Sequence, residues 1–577
     1  MNSMKAPKVL ILGLDSATWD LTRPWVEKGL LPNLARLMAE GVSASLESAT
    51  PPLTPPAWTA FMTGKNPGKH GIYNFLEQEP GTYRMRYSNA GSRRAPTIWR
   101  MLSDAGYTVG SVNVPFTFPP EKCTTFQISG MDTPSRTSSF INPPELRQEI
   151  EREFGPLDLE VRYLGSMSTD ERRDKVLAEM ERVDQQWLKV GLYLLEKRPV
   201  DVMMVTFMSI DTVQHHFWHY MDPNHFLHDP SKAERYGDAI LRVYERLDDA
   251  VGQFLERVPS DTTVIVLSDH GGGPVFDRVL YLNRYLAQLG LLKYRDKTTS
   301  ALGSARQRLL RGAFSTIRGA LSSDNKRRLA QTFPALRERI ESAASSFADI
   351  DWSGTKAYCS EVLAAPPSIS INLKGELPNG TVEPHEYEAL RDYIAAKLRE
   401  LRDPRDGSPI VPHVYKREEV FQGPYAAEGA DLILDWWTDK AFATDVSHAE
   451  TKDEPAVRIR ERAPMKEPEW SGTHRMDGIL VMKGPRLKQG AQIHGRARLV
   501  DMAPTILHLL DQKVPADMDG SVLTEALQPA FAQARAVEFS TGSDQPAQAA
   551  EPQQGSPYSE DEAALVEERL KALGYID

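Results

Sequence analysis

The sequence predicts a mixed α/β protein: a mainly parallel central sheet flanked by helices and interrupted by a long insert of different character. Three observations carry this. Short apolar runs without polar alternation recur along the first half of the chain, as strands buried on both faces do. Helical patterns separate these runs, as parallel crossovers require. The same alternation returns late, at Gly478–Leu510, after a long stretch that lacks it.

The first strand is Val9–Leu14, and helical spacing follows over Pro32–Met38. The amphipathic stretch Thr97–Ala105 precedes a strand at Tyr107–Val114. A long helix over Asp170–Lys197 feeds the apolar run Val200–Phe207, and a helix over Lys232–Arg257 feeds Thr263–Leu267. The late pair is the strand Gly478–Met482 with the helix Asp501–Leu510. Between them, Val279–Glu467 holds short strands at Ser368–Leu373 and Leu432–Trp436 and a helix over Pro384–Arg402, an α+β insert. The expected division is a first core part over 1–278, an inserted cap over 279–467, a second core part over 468–535, and a flexible linker with a C-terminal helix over 536–577.

Composition excludes more than it assigns. At about 150 residues per domain, 577 residues suffice for several domains. A net charge of −11 argues against general nucleic-acid binding, so no specific nucleic-acid partner is expected. Two cysteines far apart, Cys123 and Cys359, make neither a disulfide framework nor a thiolate zinc site. Mean hydropathy is −0.42, and no apolar run approaches the ~18 residues of a membrane span. The Val9–Leu14 run is too short for a signal segment and is followed by polar Asp-Ser, so a cytoplasmic location is expected.

Two local features modify this picture. Lys293–Arg339 holds 12 Lys/Arg against 3 Asp/Glu, a balance of +9, with Leu310, Phe314, Ile317 and Leu321 at helical spacing. It reads either as a basic amphipathic helix for an anionic membrane surface or substrate, or as a cap helix with solvated arginines, the commoner case. Gly542–Ser556 has the composition of a linker, and Ser559 with Glu562 has capping-box spacing for a final helix. That tail docks either on the core or on a second subunit of a homodimer.

In open α/β sheets reactive groups collect beyond the carboxyl ends of strands. Asp15 follows the first strand, and Asp211 to His216 follow Val200–Phe207. Ser268-Asp269-His270 and three glycines follow Thr263–Leu267, and Ser471-Gly472-Thr473-His474 precedes the late strand. Each alone is weak: an Asp after a strand is usually a turn residue. The spacing of Asp211 and His215 puts both on one helical face. The glycines after Asp269-His270 let the backbone approach an ion or ligand closely. Together these segments offer three Asp and three His, enough for two divalent cations, which stabilise both the attacking and leaving oxygens of a phosphoryl transfer. Thr54, before Pro55-Pro56, stands ahead of a helix expected over Ala57–Met62, where a hydroxyl faces backbone N–H groups. On local sequence alone an ordinary N-cap threonine is the better reading.

As a set, these pieces resemble the type I phosphodiesterase/nucleotide pyrophosphatase branch of the alkaline phosphatase superfamily. The resemblance rests on Gly13-Leu14-Asp15, the block from Thr54-Pro-Pro through Met62-Thr63-Gly64 and Pro67 to His70-Gly71-Ile72, Asp211-x-x-x-His215, Ser268-Asp269-His270-Gly271, and Gly472-Thr473-His474. These occur in the family's order and span most of the chain. The resemblance implies an alkaline-phosphatase-like core and one metal held by Asp211, His215 and His474. It implies a second held by Asp15, Thr54, Asp269 and His270, the ions being Zn2+ or Mn2+. It further implies that Thr54 attacks phosphorus and forms a phosphothreonine that water hydrolyses. The activity so implied is metal-dependent hydrolysis of a small-molecule or lipid-linked phosphate ester, with diesters and pyrophosphates favoured.

Some details depart from the pattern. The first asparagine after Thr54 is Asn66, and Ala57 offers no donor for a phosphate oxygen. The sulfatase motif is absent. His216 and His219 are extra and read as supporting or structural, and His70 as fixing a loop. Trp436-Trp437 are candidates for substrate contact or for packing. Two other readings stand beside hydrolysis: a phosphomutase, and a non-catalytic membrane-surface scaffold, the latter disfavoured because clustered carboxylates without a cation repel one another.

Overall fold

The structure, a computed structural model, describes residues 6–159, 161, 167–295, 347, 349–361, 367–438, 441–462, 470–540 and 558–572. The basic stretch from residue 296 to 339 and the linker 542–556 lie outside the described residues.

The core is a ten-stranded sheet with Val9–Leu14 in its middle. That strand pairs parallel with Val202–Phe207 on one side and Thr263–Leu267 on the other. Val109–Val114 and then Phe126–Ser129 continue the parallel run beyond Val202–Phe207. The unbroken apolar character of the central strand has a direct cause. Leu10, Leu12 and Leu14 enter one apolar cluster, while Val9 and Ile11 enter another on the opposite face. A strand covered on both sides has no position where a polar side chain is tolerated.

The late strand corrects one expectation. Asp477–Lys483 enters this sheet antiparallel, between Thr263–Leu267 and Val42–Glu47. Ile141–Asn142 is also antiparallel, to Phe126–Ser129. Among the described residues only these two strands run against the others: Val42–Glu47, antiparallel to Asp477–Lys483, shares the direction of the five central strands, as do Ala491–Gln492 and Ala497–Arg498 beside it.

The helix over Asp170–Lys197 forms as expected, with the Thr169 side chain accepting from the Arg172 N–H at its start. The helix expected over Lys232–Arg257 is two, Pro230–Tyr236 and Ala239–Leu255, parted at Gly237-Asp238. Gly237 keeps helical dihedrals, and the departure falls at Asp238, with φ −97° and ψ 1°. Ser559 and Glu562 make the reciprocal capping bonds that open the final helix Glu560–Ala572. That helix docks on this chain's own core: Tyr558 donates to the Asp132 carbonyl and stacks on Phe118, and Arg569 donates to the Met131 carbonyl.

Residues from Leu280 to Phe442 form an apolar cluster of their own. Within it a four-stranded sheet orders Ala357–Tyr358, Ser368–Ile371, Leu432–Leu434 and Val414–Lys416. One member of the cluster comes from outside this stretch: Leu53. The Tyr425 N–H donates to the Gly68 carbonyl, and the Asn66 amide to the Gln422 carbonyl. The insert is therefore seated on the segment around Thr54. Among the described residues no helix is long and apolar enough to cross a membrane.

Candidate metal centre

Because Val9–Leu14, Val202–Phe207 and Thr263–Leu267 run parallel and adjacent, the residues after their carboxyl ends meet. Asp15 and Asp269 leave two of these strands directly, and Asp211 lies in the first turn of the helix Ser209–Met221 after the third. That helix start is anchored from below: the Ser209 hydroxyl donates to Asp184, which Arg246 holds with two N–H bonds. His474 arrives on the short strand Gly472–Arg475, paired antiparallel with Gly271–Pro274.

Thr54 corrects a second expectation. It is the first residue of the helix Thr54–Thr63, which starts before the two prolines rather than after them. The N–H groups of a first helical turn have no intrahelical partner, so Pro55 and Pro56 forfeit nothing there. The hydroxyl of Thr54 is thereby held at the helix N-terminus, fully buried, 3.5 Å from His270 Nε2.

The structure brings all seven candidate residues together. Asp211 Oδ1 lies 3.1 Å from His215 Nε2 and 3.3 Å from His474 Nε2, and these two nitrogens are 3.1 Å apart. Asp269 Oδ2 lies 3.3 Å from His270 Nε2, and Asp15 Oδ1 lies 3.8 Å from the same nitrogen. Ligand atoms of Asp15, Asp269 and His270 converge as one group, and those of Asp211, His270 and His474 as another. His270 belongs to both, standing between the ligand sets.

The imidazoles are oriented by their other nitrogen. Nδ1 of His215 lies 2.8 Å from the Gly472 carbonyl, that of His474 2.9 Å from the Pro52 carbonyl, and that of His270 3.1 Å from the Gly271 carbonyl. A carbonyl only accepts, so each Nδ1 carries a proton and each ring turns its Nε2 toward the carboxylates. This is the arrangement by which histidine ligands are fixed for a metal. Asp15 is held in the same way, its Oδ2 accepting from the Trp58 indole N–H at 2.8 Å.

The electrostatics state what is missing from the side chains alone. Burial, and then the charges of Asp269 and Asp211, push the Asp15 carboxyl well above its usual range. Burial and Asp211 do the same to Asp269. For Asp211 burial also acts upward, but His215 and His474 outweigh it and hold the group well below the usual range. Burial and then His474 depress His270 strongly. Among the described residues, Asp15 Oδ1 and Asp269 Oδ2 find no hydrogen-bond donor. Two orphaned carboxylate oxygens facing His270 Nε2, on a ring that burial holds neutral, fit a divalent cation, and oxygen with imidazole suits Zn2+ or Mn2+.

Several features were not legible from spacing alone. The three glycines after His270 make room for neighbouring protein rather than for an ion. A Cβ at Gly271 would lie 2.1 Å from the Asp477 carbonyl oxygen, and one at Gly272 would lie 2.6 Å from Gln214 Oε1. Trp58 lies one helical turn beyond Thr54, a spacing that could have marked it. Trp470 stacks on His215 with ring centroids 3.7 Å apart, and Trp436 brings its ring to 6.2 Å from that of His474. Trp436 and Trp437 are nevertheless buried members of the insert's cluster. His70 is fully buried and its Nδ1 accepts from the Ile72 N–H, fixing the loop after Thr63. His216 and His219 are buried and belong to neither ligand group.

The family model for type I phosphodiesterase/nucleotide pyrophosphatase matches residues 9–453. No curated protein sequence matches the chain. Among solved structures, phosphonoacetate hydrolase from Sinorhizobium meliloti 1021, in complex with phosphonoacetate, is 16% identical. The match covers 86% of this chain and 94% of that one, with a TM-score of 0.50, a likeness of fold. Human ectonucleotide pyrophosphatase/phosphodiesterase 5 is 15% identical over 90% of this chain and 99% of that one, with a TM-score of 0.47.

Proposed function

Because the chain belongs to the type I phosphodiesterase/nucleotide pyrophosphatase family of the alkaline phosphatase superfamily, we propose that it hydrolyses phosphate diesters or pyrophosphates with two divalent cations and Thr54 as nucleophile. The observation that carries this is the convergence of three Nε2 atoms, each oriented through its Nδ1, with three carboxylates beside the buried Thr54 hydroxyl.

Asp211, His215 and His474 would hold one cation, and Asp15, Asp269, His270 and Thr54 the other. When bound, such ions neutralise the phosphoryl oxygens and lower the pKa of the Thr54 hydroxyl. The chain's own part is positioning. Helix Thr54–Thr63 directs its N-terminal dipole at the phosphate, and the Trp58 N–H orients Asp15. Thr54 Oγ1 forms a bond to phosphorus and loses its proton to solvent, while the bond to the leaving oxygen breaks and that oxygen takes up a proton. Water then attacks the phosphothreonine, breaks its P–Oγ1 bond and returns the hydroxyl. The substrate class that suits this chemistry is a small-molecule or lipid-linked ester in the cytoplasm.

The test is hydrolysis of bis-p-nitrophenyl phosphate and p-nitrophenyl phosphate by chelator-treated protein, with Zn2+ or Mn2+ restored. The diester is expected to be cleaved faster, and Thr54→Ala to remove at least about 1,000-fold of the rate. A Thr54→Ala protein as active as the wild type would end the nucleophile assignment.

A further inference from the structure

Gln214 stands between the two ligand residues of the helix Ser209–Met221, one position before His215. Its side chain turns away from them, toward the other ligand group. Nε2 donates to the Ser16 carbonyl at 2.8 Å and to the Ser16 hydroxyl at 3.1 Å. Ser16 follows Asp15 directly, and its backbone N–H lies 3.3 Å from Asp269 Oδ1. Its hydroxyl also reaches the Gly271 carbonyl at 3.4 Å, next to His270.

Two further facts mark this contact as more than the filling of a buried gap. Ser16 has φ of +63°, the left-handed region that an L side chain enters only when its surroundings enforce it. The Gln214 amide, in turn, is wedged against Gly272, where a Cβ would lie 2.6 Å from Oε1 and 2.8 Å from Nε2. Gln214 and Ser16 are 2% and 1% exposed, so water is not an alternative partner for either. The turn that aims Asp15, and the N–H that Asp269 accepts, are both set by the conformation of Ser16.

We propose that Gln214 is a positioning residue that clamps Ser16 in its left-handed conformation, tying the helix of Asp211 and His215 to the Asp15/Asp269/His270 group. The inference rests on the metal reading above. It assigns Gln214 and Ser16 a role that neither has as a ligand: the second ligand group keeps its shape only while the first helix holds the turn.

The test reads metal binding rather than turnover. Chelator-treated full-length protein is titrated with zinc by calorimetry. The wild type is expected to take two equivalents. Gln214→Met keeps the volume and removes the donor, and is expected to weaken one equivalent by about 10- to 100-fold while leaving the other within about threefold. Adding Ser16→Gly to Gln214→Met is expected to recover most of that loss, because glycine adopts positive φ without a clamp. A merely structural amide predicts instead a lower melting temperature with both affinities unchanged. A folded Gln214→Met protein with wild-type affinity for both equivalents, or no recovery in the double variant, overturns the proposal. Should Gln214→Met fail to fold, Gln214→Asn, whose shorter side chain stops short of Ser16, carries the same expectations. A wild type that takes up no zinc ends the metal reading itself, a result distinct from two intact equivalents in Gln214→Met.

Discussion

Replacing Trp58 by phenylalanine isolates one hydrogen bond of the proposed metal centre. The indole N–H donates to Asp15 Oδ2 at 2.8 Å, inside a site where Asp15 is fully buried. A hydrogen bond to a charged group contributes about 1.5–3 kcal/mol, and at about 1.4 kcal/mol per factor of ten that is roughly 10- to 100-fold in cation affinity. The same change removes part of a fully buried ring that packs edge-on against Phe61 with centroids 5.8 Å apart. That packing loss costs about 1–3 kcal/mol of folding stability. The two effects separate in one experiment. Diester hydrolysis is measured across chelator-buffered free Zn2+, with a thermal melt alongside. The zinc midpoint is expected to move up by 10- to 100-fold, with most of the maximal rate recovered at excess zinc. A folded Trp58→Phe protein with an unmoved zinc midpoint would falsify the assignment of Trp58 as the support of a metal-binding Asp15.

Other perturbations follow from the same geometry. Burial, then the charges of Arg93 and Lys65, lowers His70 to about 3 from an ordinary 6.5, so below pH 6.5 the unfolded chain binds the proton and the folded one does not. Stability is therefore lost as pH falls; between pH 6.5 and 4.5 the His70 contribution is up to about 3 kcal/mol, and denaturant melts of His70→Gln should show a flatter acid slope. Gly472→Ala would place a Cβ 2.3 Å from the Gln214 carbonyl oxygen, between His215 and His474. It is expected to cost about 1–3 kcal/mol and one zinc equivalent, read by melting and elemental analysis. Tyr558→Ala removes the Phe118 stack and the bond to the Asp132 carbonyl; limited proteolysis should then cut before the final helix faster, while an unchanged cleavage rate would mean the helix docks without it.

What could be read from the sequence, and what could not, divides along physical lines. Val9–Leu14 was legible because burial on both faces leaves a continuous apolar run. Asp211 and His215 were legible as a pair because four residues make one helical turn. The reversed direction of Asp477–Lys483 was not, since an apolar run carries no sign of which way it enters a sheet. The prolines after Thr54 read as the end of an extended segment ahead of a helix at Ala57, yet in a first helical turn they fit. The glycines at 271 and 272 signalled close approach correctly but not by what: the neighbours are Asp477 and Gln214, hundreds of positions away in the numbering or on another element. Gln214 itself carried no signal, because its partner is a backbone carbonyl at Ser16, and any residue has one.

Leu53 ties the insert to the segment that carries Thr54. The residue immediately before Thr54, the proposed nucleophile, spends its side chain in the insert's apolar cluster rather than in the core's. Deleting the insert would not uncover a smaller working enzyme; it would leave Leu53 in water and free the peptide that places Thr54. Nor is exchange with another protein's insert a matter of matching ends at the splice points, since the incoming part must also offer Leu53 a socket. Thr54 is thus placed from two apolar clusters at once, through its own helix in one and through Leu53 in the other.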